Sequence, residues 1–202
     1  FALRPDQTTT VINAKGSSYN SNKILISIGT GIGHCLIADK QVFKSCGGHF
    51  HATPVTKTHR DFATFVREQK KDDTCLIVED LISGRGLKFA LAFVSGSPAY
   101  DKDDNEFLEA LSRHPDAVTL FFELLGVHAH ILTGATGFYG GVYLAGGVID
   151  ILIDNGMTDW TGFKKTFRPE MISTMNTRLN NCPVEYILHD EMPLLGLSVI
   201  EI

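Results

Sequence analysis

The stretch that most constrains this chain is Lys23 to Asp39, which reads Lys-Ile-Leu-Ile-Ser-Ile-Gly-Thr-Gly-Ile-Gly-His-Cys-Leu-Ile-Ala-Asp. An apolar run (Ile24, Leu25, Ile26, Ile28) meets Gly29-Thr30-Gly31-Ile32-Gly33, and a second run (Cys35, Leu36, Ile37, Ala38) follows. Both runs are short, rich in β-branched residues and bounded by glycine or charge, so both are predicted as strands. Glycines between two strands permit positive φ and let the backbone approach a ligand closely. Successive N–H groups in such a turn can form an anion-binding nest, to which Thr30 adds a hydroxyl. A dinucleotide fingerprint needs Gly-x-Gly-x-x-Gly with a helix directly after it. Here the spacing is Gly-x-Gly-x-Gly and a strand follows, which argues against that site. A hairpin that binds nothing fits the turn equally well when it is taken alone.

The rest of the chain arranges itself around this hairpin. Residues 1–22 are a polar lead-in with one short strand expected at Thr10 to Asn13. Gln41 to Lys44 is predicted as a third strand, leading into a loop through Cys46, Gly47, Gly48, His49 and Pro54. Thr58 to Gln69 sets Phe62, Ala63, Phe65 and Val66 among charges and is predicted as an amphipathic helix. Ser83-Gly84-Arg85-Gly86 opens another, through Phe93. Ser95 to Asn105 reads as a surface loop, and a short helix with Phe107, Leu108 and Leu111 stops at Pro115. Pro115 suits the first turn of the next helix, where its missing N–H costs nothing. That helix runs from Val118 to Ile131 with apolar residues on most sides, so it is predicted to be central and buried. Gly141 to Ala145 is a strand, Gly146-Gly147 turns the chain into a helix over Val148 to Asn155, and Val184 to His189 is the last strand. Three strands, a block of helices and two later strands make a mixed α/β domain.

Composition excludes several function classes. Of 202 residues, 44% are hydrophobic and 20% charged, the balance of a globular chain with a sizeable core. A net charge of −5 provides no electrostatic footprint for nucleic acid or an anionic membrane. No stretch reaches the length of about 18 uninterrupted apolar residues that a membrane span needs. The four cysteines (Cys35, Cys46, Cys75, Cys182) are scattered without zinc spacing. Reduced thiols in a cytoplasmic protein are the expectation. The chain opens on Phe1 rather than methionine, which reads as a start inside a longer frame.

Among the candidate functional residues, Gly146-Gly147 lies between a strand and a helix, where ligands of α/β sheets gather and glycine lets a nucleotide lie on the backbone. Tight packing would also explain the pair. Together with the first turn it suggests two walls of one nucleotide site. Glu79, paired with Asp80 ahead of Leu81-Ile82-Ser83-Gly84, stands where a strand-to-helix junction is expected. Its carboxylate either accepts hydrogen bonds from sugar hydroxyls or is a solvated charge. His49 with His51, and His128 with His130, are each too sparse for a metal site. For His128, His130 and His189 a structural role is expected. No Gly-x-Ser-x-Gly elbow supports a serine hydrolase.

Taken in order, these segments resemble the bacterial-type glucokinases of the actin-like hexokinase superfamily over nearly all 202 residues. Ile28-Gly29-Thr30-Gly31-Ile32-Gly33 looks like that family's second phosphate motif. Gly47-Gly48-His49 with Thr53-Pro54 matches its sugar loop, and Glu79 matches a glutamate that binds glucose hydroxyls. Thr133-Gly134 with Phe138 to Gly147 is similar to its adenosine motif. His189-Asp190 and Leu194-Leu195-Gly196 match its closing segment. The resemblance implies a ribonuclease-H-like (actin-like ATPase) α/β domain, a mixed sheet flanked by helices. It implies ATP and Mg2+ as cofactors and glucose as substrate. Gly29, Thr30, Gly31 and Gly33 would lie at the phosphates, Gly146 and Gly147 at adenosine, and Cys46, Gly48, His49 and Glu79 at the sugar. No zinc loop of the related repressor and sugar-kinase group is present. Family members are commonly dimers, and the sequence does not set the assembly state.

Two departures from the family pattern matter. Cys46 stands where the family carries glutamate, and a thiol is a weak donor and acceptor where a carboxylate forms charge-assisted bonds. The exchange should cost about 1.5–3 kcal/mol of sugar binding. The family's small N-terminal domain, with its first phosphate motif and the aspartate that acts as general base, has no counterpart in residues 1–202. On this reading the chain is the large C-terminal domain of a glucokinase-like kinase, the parent is the enzyme, and the isolated chain is inactive. A non-catalytic sugar- or nucleotide-binding regulator, or a kinase for another hexose, is the alternative that Cys46 raises.

Overall fold

The computed structural model describes residues 7–18, 20–39, 41–70, 74–97, 104–170 and 174–188. Its centre is one six-stranded sheet made of β1 (Thr8–Ile12), β2 (Lys23–Ile28), β3 (Ile32–Ala38), β4 (Gln41–Ser45), β5 (Gly141–Ala145) and β6 (Val184–Ile187). The strands lie in the order β1-β6-β5-β2-β3-β4. β2, β3 and β4 form an antiparallel meander, β5 returns parallel to β2, and β6 lies parallel to β5. Two parallel neighbours cannot be joined by a tight turn, and between β4 and β5 the described residues accordingly hold five α-helices. The mixed sheet of the ribonuclease-H-like domain is therefore present as expected.

The register follows from alternation. Ile24, Ile26 and Ile28 are fully buried on one face of β2, and Ile28 opposes Ile32 across the glycine turn. The lead-in is more ordered than its composition suggests. β1 begins at Thr8, two residues before the expected strand, because it pairs antiparallel with β6 from Thr8 opposite Ile187. His189 and the rest of the closing segment lie outside the described residues.

The helices are α1 (Lys57–Lys70), α2 (Val78–Leu81), α3 (Gly84–Ser95), α4 (Asp104–Arg113), α5 (Pro115–Thr136), α6 (Gly147–Asp154), α7 (Trp160–Phe167) and α8 (Thr174–Asn180). α5 starts on Pro115 and ends at Gly137, whose φ of 71° continues no helix. Among the described residues it is the one helix long and apolar enough to cross a membrane. With 72% of its most apolar window buried inside the protein, it is instead the central core helix. α7 packs along it edge-on, Phe122 of α5 with Trp160 of α7 at 4.8 Å, and within α7 Trp160 lies edge-on to Phe163 at 6.2 Å.

Three helices escape the sequence reading. α2 is a single turn, too short for periodicity to reveal, and α8 has only Leu179 buried. α7 was legible in principle, since Asp159 caps it by accepting from the Gly162 N–H at 2.8 Å, and Trp160, Phe163 and Phe167 recur at helical spacing.

Candidate functional site

The site is assembled where the β2–β3 turn meets the starts of two helices. Gly29 O accepts the N–H of Gly84, the first residue of α3, at 2.9 Å. Ser83 caps α3, its hydroxyl accepting from the Gly86 N–H at 3.2 Å. From the other side Gly146, with φ 108°, presses so closely on β2 that a Cβ there would stand 2.6 Å from Ile28 N. That approach places the start of α6 beside the same turn. Val148 of α6 bridges the two, lying 3.5 Å from where a Gly84 Cβ would be. Two helix N-termini at one turn make an electropositive spot suited to an anion. Gly29 and Gly147 have nothing within 4 Å of a built Cβ, so open space adjoins both.

The glycines of the turn serve a different purpose from the expected one. None of Gly29, Gly31 or Gly33 takes a positive φ. At Gly31 a carboxylate occupies the space a side chain would take, Glu79 Oε2 lying 2.5 Å from a built Cβ. That oxygen accepts the Ile32 N–H at 3.0 Å. Gly29 N–H is likewise engaged, donating to Gly31 O at 2.9 Å. The anion nest is thus narrower than the five residues Gly29 to Gly33 suggest, with the N–H groups of Thr30 and Gly31 at its tip.

Glu79 is the second residue of α2, one turn of helix that follows an isolated bridge between His51 and Ile77. A strand-to-helix junction was expected there, and the strand is reduced to that bridge. The turn is held by its neighbour. Asp80 is wholly buried and accepts from Lys70 Nζ at 2.8 Å, Arg85 Nη2 at 2.9 Å and the Ile77 N–H at 3.0 Å. With Asp80 fixed inward, Glu79 is turned toward the hairpin.

The loop after β4 closes the site. Gly47–His49 is a 3₁₀ turn, with the His49 N–H donating to Cys46 O at 2.9 Å. Gly48 packs on Ile32 so tightly that a Cβ would stand 2.5 Å from its Cγ2 and 2.7 Å from its carbonyl oxygen. Cys46 and His49 are exposed beside it. The loop is tied to α2 by main-chain bonds, Val78 N–H to Phe50 O at 2.8 Å and Ala52 N–H to Leu76 O at 2.9 Å.

Beneath this loop lies a pair the sequence does not reveal. His34 of β3 and His128 of α5 are buried with their Nε2 atoms 2.7 Å apart, and the His34 ring lies 3.2 Å from where a Gly47 Cβ would be. At that separation one Nε2 donates and the other accepts, so the two imidazoles are neutral and of opposite tautomer. Burial pushes His34 down to about 4; burial and then the charge of His34 push His128 down to about 3. Because the folded values are depressed, the unfolded chain binds protons that the folded one refuses below pH 6.5. Stability falls as pH drops, by up to about 1.4 kcal/mol per pH unit for each histidine. Replacing both by leucine is expected to flatten the dependence of urea-unfolding free energy on pH between 6.5 and 5. An unchanged slope would assign the acid sensitivity to other groups. His130 has a structural partner too, Phe167 O at 3.0 Å.

A model of the glucokinase family matches residues 1–201. The chain belongs to the glucokinase family. A glucokinase of Saccharophagus degradans is 29% identical over 189 residues, covering 88% of this chain and 57% of that protein. The crystal structure of a glucokinase from an Antarctic psychrotroph superposes with a TM-score of 0.79 at 23% identity, over 97% of this chain and 62% of that one. That of Balamuthia mandrillaris glucokinase, in complex with glucose, gives 0.70 at 17% identity, over 91% and 55%. At such identities the structures attest the actin-like fold, and the chain spans little more than half the length of these relatives. Within the glucokinase fold, Gly29 to Gly33, Gly48, Glu79 and Gly146 converge on one turn. Sequence reasoning missed Ile32, the residue on which the contacts of Gly48 and of α2 meet, because a buried isoleucine carries no signal of its own. It also left Asp80 as a neighbour of Glu79, although a second acidic residue beside a candidate ligand was the available sign.

Proposed function

We propose that the polypeptide carrying this chain is a hexose kinase that moves the γ-phosphoryl of MgATP to the 6-hydroxyl of glucose, and that residues 1–202 form its large domain. The carrying observation is the single contact zone in which Gly48 of the sugar loop, Glu79 of α2 and the glycine turn all meet at Ile32. Such contact would set a sugar and a nucleotide phosphate side by side, and phosphoryl transfer is mostly a matter of that positioning. The N–H groups of Thr30 and Gly31, with the Thr30 hydroxyl, would hold phosphate against the α3 and α6 N-termini. Gly146 and Gly147 would line adenosine. His49, Glu79 and Cys46 would face the sugar. Among the described residues no group of three or more His, Cys, Asp or Glu could hold a metal ion. Mg2+ is held largely by substrate phosphates and water, so it would arrive with the nucleotide. None of the described residues is assigned as general base. Domain closure over the turn would exclude water from the transferred group.

Glucose-dependent release of ADP from MgATP by the full-length polypeptide tests the reading, and saturation with glucose is the expected result. A folded protein that binds nucleotide but turns over no glucose would refute it. The exposed thiol of Cys46 favours a second reading, a protein that keeps the binding surfaces and has lost glucose phosphorylation or moved to another hexose. Cys46→Glu discriminates. A carboxylate restored at this position should tighten glucose binding by about 1.5–3 kcal/mol, roughly 10- to 150-fold. Glucose affinity measured by calorimetry checks it, and no gain would mean that the loop is shaped for a different ligand.

A further inference from the structure

The sugar loop and the phosphate turn are joined mechanically. Ile32 is buried, and its N–H is held by Glu79 Oε2 at 3.0 Å. Its carbonyl and side chain carry Gly48, and the preceding Gly31 yields its side-chain space to the same carboxylate. Across the turn, Gly29 O is fixed by the α3 N-terminus through Gly84. Thus the tip is clamped on both flanks, and one clamp is an ionisable side chain on an element that Asp80 anchors in the core.

We propose that Glu79 is a positioning residue for the phosphate turn as well as a sugar ligand. Oε2 holds the Ile32 N–H and so presents the N–H groups of Thr30 and Gly31 to nucleotide, while Oε1 is left for a sugar hydroxyl. This rests on the reading of the hairpin as a nucleotide-phosphate site. Its consequence is that sugar and nucleotide affinities are linked through one carboxylate, and such linkage is reciprocal. A sugar that draws on Oε1 stiffens the side chain that shapes the turn.

A carboxylate near a phosphate site is by itself repulsive, so deleting it should tighten nucleotide binding if charge is its whole influence. Positioning predicts the opposite sign. The experiment is calorimetric titration of the full-length polypeptide with MgADP in the absence of sugar. Glu79→Ala is expected to weaken MgADP about 3- to 10-fold, the worth of one net hydrogen bond. Glu79→Gln keeps an oxygen acceptor without the charge, and should bind MgADP as well as the parent or better while losing glucose affinity. Glu79→Asp keeps the charge but, one methylene shorter, withdraws from Ile32 and should weaken MgADP even if the alanine variant fails to fold. MgADP binding by Glu79→Ala or Glu79→Asp equal to the parent's, or Glu79→Gln weakened as far as Glu79→Ala, overturns the proposal. Absence of MgADP binding in the parent protein would instead overturn the reading of the hairpin, before any variant is compared.

Discussion

Replacing Asp80 with alanine is expected to remove about 3–5 kcal/mol of folding stability, the cost of taking one partner from a buried ion pair. Its carboxylate is 1% exposed, while its two cationic partners differ: Lys70 is 16% exposed and Arg85 55%. Arg85 can turn to water when the carboxylate goes. Lys70 cannot do so fully, and the Ile77 N–H loses Asp80 Oδ2 as its acceptor at the start of α2. The cost is therefore that of stranding a partly buried ammonium and a backbone donor, rather than the worth of an exposed ion pair. Because α2 is a single turn, it has no helical cooperativity to survive on. Glu79 should then lose its orientation, so glucose affinity falls along with stability. Denaturant unfolding of the parent and of Asp80→Ala checks the first part, and a loss below about 1 kcal/mol would mean that solvent already screens the cluster. Asp80→Asn, which keeps an acceptor for the Ile77 N–H, should fall between the two.

The second large effect concerns Gly146. At φ 108° and ψ 153° it occupies backbone space essentially closed to other residues, at about 1–3 kcal/mol for a side chain that is forced there. Alanine would add contact with the Ile28 backbone at 2.6–2.8 Å from N and C, and with the Ile28 carbonyl oxygen still closer. Backbone cannot move aside as a flexible side chain can. β2 and the start of α6 must separate, and Ile28, Leu144 and Ile149 all lie in the core at that seam. Strain and lost packing together should exceed about 3 kcal/mol. Since the same approach sets the α6 N-terminus beside the turn, MgADP affinity should drop as well. Thermal unfolding with MgADP titration reads both. Gly147→Ala is the control, because open space surrounds its Cβ and its stability should hardly change. Equal losses at the two positions would show that the close approach at Gly146 is not what the glycine provides.

Much of the domain was legible residue by residue. The hairpin announced itself because Ile24, Ile26 and Ile28 alternate toward one face and five turn residues separate them from the next run. α5 was legible from its all-round apolar surface and its start from Pro115, whereas its last turn, through Thr136, runs past Ile131, where the expected helix ended. Local patterns of this kind need no knowledge of the rest of the chain, since burial periodicity and caps act over a few residues. The same holds for the order of motifs that placed the chain in the glucokinase family.

What stayed hidden depends on partners distant in sequence. Gly31 looked like a residue chosen for its φ, yet it is shaped by Glu79, 48 residues later. His128 looked like one more histidine on a buried helix, and only the packing of α5 under β3 sets it 2.7 Å from His34, 94 residues away. Glu79 looked undecided between ligand and solvated charge because its orientation is set by the burial of Asp80, which no local pattern records. The sequence by itself determined the strands, the central helix, the glycine turns and the family. Tertiary structure alone decided that the Gly47–His49 turn, α2 and the β2–β3 turn meet at Ile32. Steric exclusion and the pairing of buried polar groups act between surfaces, and those surfaces exist only once the sheet and its helices have closed on one another.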